Sequence, residues 1–92
     1  MIIKHTTSFE RTVEKLKDKN AINRLASLVK SLKEAQSLNE VPNVIPIENA
    51  SGFYRIKTGN YRLIVERLKN GEIILLLVDY RRRNEKTYKR LN

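Results

Sequence analysis

The feature that most constrains this chain is a change of hydrophobic period between its two halves. Up to Leu32 the apolar residues recur at helical spacing, and from Phe53 onward they alternate or run together as strand residues do. In the first half, Thr7-Ser8-Phe9-Glu10 fits a capping box, in which Thr7 and Glu10 satisfy the first free amides of a helix. Phe9, Val13 and Leu16 then follow at spacings of four and three, which makes one face apolar. Lys17-Asp18-Lys19-Asn20 interrupts the pattern, Asn20 is placed to cap a second helix, and Ile22, Leu25, Leu28, Val29 and Leu32 form its stripe. The two helices are expected as an antiparallel pair whose Lys and Glu residues face solvent. Met1 to His5 precedes them as a short strand.

Asn39 to Asn49 holds both prolines of the chain, Pro42 and Pro46, and reads as a connector. Phe53 to Lys57 then alternates, Thr58-Gly59-Asn60 supplies turn chemistry, and Tyr61 to Val65 resumes a strand. Asn70-Gly71 is a strong hairpin signal leading into Glu72 to Val78, which is apolar on both faces and so central to a sheet. Asp79 to Asn92 is charged, with Tyr88 and Leu91 as the apolar anchors of a short final helix. The expected fold class is α+β: a strand and a helical hairpin packed on one face of an antiparallel sheet, the other face left open. Residues 1–92 are expected as one domain, since 92 residues leave little room for a second core.

Charge says what the open face is for. The chain carries 19 Lys and Arg against 10 Asp and Glu, a net charge of +9. The excess is uneven: the stretch up to Gly52 is nearly balanced, and most of it follows Phe53. A concentrated positive field attracts polyanions and speeds encounter with them. With no Cys there is neither a disulfide nor a thiol nucleophile, and the single His5 excludes a His-based metal site. No carboxylate cluster marks a divalent cation, so no metal and no cofactor are expected. The longest apolar run, Ile73 to Val78, is too short to span a bilayer, and a soluble, cytoplasmic protein is expected.

Alternation places Arg55 and Lys57 on one face of their strand and Tyr54 and Ile56 on the other. Arg62 lies on the partner strand across a tight turn, and Arg81, Arg82 and Arg83 leave the end of the last strand. Strand pairing gathers these cations on one surface, with Lys86, Tyr88 and Lys89 following. Each taken singly is as easily a solvated surface charge; their convergence favours a nucleic-acid site.

The run Tyr54-Arg55-Ile56-Lys57-Thr58-Gly59-Asn60-Tyr61-Arg62-Leu63-Ile64 resembles the central YRIRxGxYRxx motif of the RelE/ParE toxin superfamily. The later Arg81-Arg82-Arg83 and Tyr88-Lys89 resemble that family's C-terminal "RR…Y" signature, so the likeness covers nearly the whole chain. It implies a compact α/β sandwich close to the microbial ribonuclease arrangement. It also implies the toxin half of a type II toxin–antitoxin pair. In the RelE branch the implied activity is metal-independent cleavage of messenger RNA in the ribosomal A site. The RNA's own 2′-hydroxyl attacks the adjacent phosphate, leaving a 2′,3′-cyclic phosphate and a 5′-hydroxyl.

By that resemblance the catalytic residues are Lys57, Arg62, Arg82 and Tyr88, and the RNA-binding residues are Arg55, Arg81, Arg83, Lys86 and Lys89. Arg62 matches the arginine that holds the scissile phosphate. Lys57 is nominated as general base, since crowding by arginines disfavours an ammonium. Arg55 stands where the best-known RelE has a lysine and is assigned an electrostatic role, because an arginine does not give up its proton. Arg82 is assigned to the leaving oxygen, and Tyr88, six residues later, to stacking on a nucleobase. No His adjoins Tyr88, and Glu48 is not at the distance from Gly52 that a glutamate base of the YoeB-type branch requires. Two alternatives stay open: a ParE-type inhibitor of DNA gyrase with no nuclease activity, and an inactive RNA-binding relative. The implied partner besides the message is an antitoxin, acidic to suit the +9 charge.

Overall fold

In the computed structural model, residues 1–70 and 72–83 are described. Strand β1 (Ile2–His5) leads into helix α1 (Thr7–Glu14) and helix α2 (Lys19–Glu34). A single 3-10 turn (Leu38–Glu40) and strand β2 (Val44–Pro46) follow, then β3 (Phe53–Thr58), β4 (Tyr61–Asn70) and β5 (Glu72–Arg82). The expected α+β class holds. Tyr88, Lys86, Lys89 and the expected final helix lie outside the described residues.

Both helix starts fall earlier than the sequence suggests. The cap of α1 is Thr6, whose Oγ1 accepts the Phe9 amide at 3.0 Å, while Thr7 is already helical. The cap of α2 is Asp18, whose carboxylate accepts the Ala21 amide at 3.1 Å, in place of Asn20. Thr6, Thr7 and Ser8 are all competent caps, so the choice falls to whichever residue the preceding strand leaves extended, and Thr6 still donates its amide to Leu77 O. At the other end of α2 the N-terminal ammonium of Met1 donates to the carbonyls of Leu32, Lys33 and Ala35 at 2.7–3.1 Å. That interaction satisfies carbonyls a helix end otherwise leaves orphaned. Neither helix leans mainly on the other: α1 packs on β5, and α2 crosses β1 and β3.

The sheet has five strands in the order β1-β5-β4-β3-β2. It is antiparallel except that β1 runs parallel to β5, with Ile2 opposite Ile74. Strand β2, formed within the connector, pairs Ile45 with Arg55 and ends at Pro46. Proline is tolerated there because the strand is an edge. A two-residue turn at Gly59-Asn60 joins β3 to β4. Between β4 and β5 the register slips by one residue: Ile64 faces Asp79 and Val65 faces Leu77, leaving Val78 as a bulge.

The core lies between the helices and one face of this sheet. Phe9 of α1 and Ala21, Leu25 and Leu32 of α2 meet Ile56, Leu63, Val65, Leu75, Leu77 and Tyr80, and none of the described buried residues is charged. Tyr80 is fully buried, stacks on Tyr61 with ring centroids 4.9 Å apart, and donates its hydroxyl to Ala21 O at 2.8 Å. Because both helices serve this one core, the opposite sheet face carries no helix among the described residues.

Candidate nucleic-acid interface

Cross-strand register decides which basic residues share a surface. Ile56, Leu63 and Tyr80 are direct partners across β3, β4 and β5, and all three point into the core. The next row, Lys57, Arg62 and Arg81, therefore points to the open face. So does the row beyond Ile56, formed by Arg55, Ile64 and Asp79. Three cations and their neighbours are thus fixed by backbone hydrogen bonding rather than by side-chain choice.

Arg82 departs from the sequence expectation. Strand β5 continues to Arg82 instead of ending at Val78, so the three successive arginines alternate. Arg81 faces Arg62, whereas Arg82 is in register with Tyr61, on the helix side of the sheet. Arg83 returns to the open face and lines the same cavity as Arg62, its amide held by Asn60 O. By placement Arg81 and Arg83, rather than Arg82, share the face that carries Arg62.

That cavity has a volume of about 410 Å³ and is lined by Asn43, Ile45, Arg55, Lys57, Arg62 and Arg83. Asn43 and Ile45 enter from the connector and β2, which the sequence reading left as loop. Asn43 has a left-handed backbone, φ 66°, and its carbonyl accepts the Lys57 amide at 3.2 Å. Asn is among the few residues that adopt that region at low cost. Asn43 and Lys57 also border a second cavity of about 400 Å³ that runs along Ser27 and Leu28 of α2.

The electrostatics follow from the crowding. The Arg62 guanidinium is held below its ordinary pKa, first by burial, then by Arg55, Arg81 and Arg83, with Asp79 acting in the opposite sense. Asp79 pairs with Arg81 through Oδ2 and accepts the Tyr80 amide through Oδ1. It is the single carboxylate set into these two rows. Such a site is short of negative charge and would gain by receiving a phosphodiester. Among the described residues no His, Cys, Asp and Glu side chains gather as a metal-holding group, and no helix is long and apolar enough to cross a membrane. His5 stands apart, 3.7 Å from Glu10 at the far end of β1, with both side chains more than half exposed.

The model of the ParE toxin of the type II toxin–antitoxin system parDE matches residues 3–85. The chain belongs to the ParE toxin family. No curated protein is a significant match by sequence. Among solved structures, this family member resembles the RelB–RelE antitoxin–toxin complex from Methanococcus jannaschii, with a TM-score of 0.73 at 19% identity over 97% of this chain and 99% of that one. It also resembles the archaeal RelE–RelB complex from Pyrococcus horikoshii OT3, with a TM-score of 0.70 at 19% identity over 90% and 94% of the two chains. The YoeB/ParE toxin from Agrobacterium tumefaciens aligns at a TM-score of 0.65 and 15% identity, covering 89% and 98%. The RelE/ParE fold anticipated from the Tyr54–Ile64 motif is therefore the fold of this toxin.

Proposed function

We propose that this toxin is an endoribonuclease that cleaves messenger RNA at the ribosome without a metal, through the open-face cations. The observation that carries this reading is the convergence of Arg55, Lys57, Arg62 and Arg83 on one cavity. A ribonucleotide brings its own nucleophile, so a site of this kind needs no Ser, Cys or activated water. Lys57 takes the proton of the 2′-hydroxyl as its oxygen attacks phosphorus. The new 2′-O–P bond forms, the P–O5′ bond breaks, and the 5′-oxygen leaves to take a proton from solvent. Arg62, Arg55 and Arg83 stabilise the charge that accumulates on the phosphorane-like transition state. Tyr88 is assigned to stacking on a base by the family resemblance alone. Arg82, on the helix side of the sheet, serves this account less well than Arg81 or Arg83.

The partner that restrains the toxin is an antitoxin, as in the complexes it resembles. An acidic segment over the cation cluster would block RNA and relieve the repulsion around Arg62 together. The second reading is inhibition of DNA gyrase, and the specific observation favouring it is the match to the ParE toxin model. Induction of the wild type and Arg62→Ala in growing cells separates the two. New 5′-hydroxyl ends in translated messages, absent with Arg62→Ala, support the nuclease. Intact messages with broken or abnormally supercoiled DNA support the gyrase reading.

A further inference from the structure

The cavity that gathers the cations is not cationic throughout. Its wall on the β2 side is made by Asn43 and Ile45, which carry no charge. Ile45 is 46% exposed, one of three large apolar side chains so placed among the described residues, and it is the direct cross-strand partner of Arg55. It therefore shares the open face with Arg55, and an apolar wall is set beside the guanidinium. Asn43 is exposed at the mouth of the same cavity, anchored to β3 through its carbonyl and the Lys57 amide. A ligand matching all of this carries a negative group, a flat apolar body and a polar edge. A volume of about 410 Å³ falls within the range of pockets that hold one small molecule. A nucleotide has that chemistry, whereas an acidic peptide offers the charge without the flat base.

We propose that Asn43 and Ile45 form a nucleobase subsite adjoining the phosphate-binding cations, and that it favours adenine. This deepens the RNA-cleavage reading and rests on it. Ile45 packs against the face of the base and Asn43 reads its edge. A side-chain amide sets an NH2 donor beside a carbonyl acceptor, which fit the N7 acceptor and N6 donor of adenine. Ile45 lies on β2 and Asn43 just before it, each tied to β3, so base and phosphate are held at a fixed spacing.

The test uses the full-length protein and short single-stranded oligonucleotides with 2′-O-methyl riboses, which bind but cannot be cleaved. One position carries adenine, guanine, cytosine, uracil or no base. Binding is followed by fluorescence anisotropy for the wild type, Asn43→Gly, Ile45→Ser and Arg62→Ala. Asn43→Gly keeps the left-handed backbone accessible while deleting the amide, and Ile45→Ser alters an exposed edge residue, so two independent variants report. The subsite predicts that adenine is preferred by the wild type by about fivefold or more and that Asn43→Gly abolishes that preference. It predicts that Ile45→Ser weakens every base-bearing probe but leaves the abasic one unchanged. Equal binding of abasic and base-bearing probes by the wild type, with release by Arg62→Ala, overturns the subsite while leaving the RNA reading standing; it would also be the result expected of a surface for an acidic peptide. Failure of the wild type to bind any probe, either free or placed in the ribosomal A site, overturns the RNA reading and the subsite with it.

Discussion

Arg62 on β4 and Arg81 on β5 are direct cross-strand partners, two guanidiniums side by side in a face that also holds Arg55 and Arg83. Like charges in that position are destabilising by roughly 0.2–1 kcal/mol. Burial and those three neighbours also lower the pKa of Arg62, so the fold holds its charged form less comfortably than the unfolded chain does. The sign follows: Arg62 costs stability at neutral pH, and because the guanidinium keeps its proton the cost persists across the pH range in which the protein is folded. Arg62→Gln is therefore expected to raise the melting temperature by about 1–5 °C in low salt, and by less in high salt. The same substitution should weaken RNA binding. Calorimetry and a binding titration on one preparation test both effects.

Asp79 tempers the cluster from within. It pairs with Arg81 and favours the charged form of Arg62. Asp79→Asn keeps the acceptor for the Tyr80 amide but removes the charge. It is expected to tighten single-stranded RNA binding several-fold at low salt and to lower thermal stability. A salt titration of the affinity is the check, since each phosphate contact contributes about 0.7 to the log–log slope.

The fold class and the turn between β3 and β4 were legible in the sequence, but the alternation at the end of β5 was not. Leu75, Leu77 and Tyr80 all face the core, and the step of three between the last two exists because Val78 bulges out of the ladder. Plain period-two counting cannot see a bulge, and with β5 taken to stop at Val78 the three arginines fall together on one surface instead of alternating. That is why Arg82 was grouped with residues it does not join. Strand β2 was missed for a different reason: three residues ending in Pro46 give no periodicity, and pairing with β3 makes them a strand. Asn43 and Ile45 went unnoticed with it. Arg55, Lys57 and Arg62 were legible because a short turn fixes their register locally.

Tyr80 anchors α2 to the sheet, and its role is separable from the open-face cations. Its phenol is held above the ordinary pKa of 10.0, chiefly by burial, with Tyr61 and Asp18 adding and Arg24 opposing. Below about pH 10 both folded and unfolded chains keep this proton, so the contribution is fully present; it is lost as pH rises through the higher folded value. Tyr80→Phe removes the hydrogen bond to Ala21 O and is expected to cost about 1 kcal/mol. Melting curves from pH 8 to 11 should show the variant losing less stability than the wild type across the alkaline end.

Gly59 occupies the tight turn before Arg62 with φ +58°, and a Cβ there would lie 2.7 Å from Nη1 of Arg24. Gly59→Ala must accept a left-handed alanine and displace the Arg24 side chain from α2. A loss of about 1–2 kcal/mol is expected, read as a lowered denaturation midpoint with an unchanged slope. Arg24→Ala in the same background should recover the part owed to the clash and leave the backbone part.

The central claim, cleavage by the RNA's own 2′-hydroxyl at the open-face cations, is tested most directly with ribosomes carrying a defined message in which one ribose at the cleavage position is replaced by 2′-deoxyribose. The account predicts a 5′-hydroxyl and a 2′,3′-cyclic phosphate from the all-ribose message, no cut at the deoxy position, and no cut with Arg62→Ala. Cutting at the deoxy position would contradict the 2′-hydroxyl mechanism, and intact all-ribose message alongside inhibited DNA gyrase would contradict the nuclease altogether.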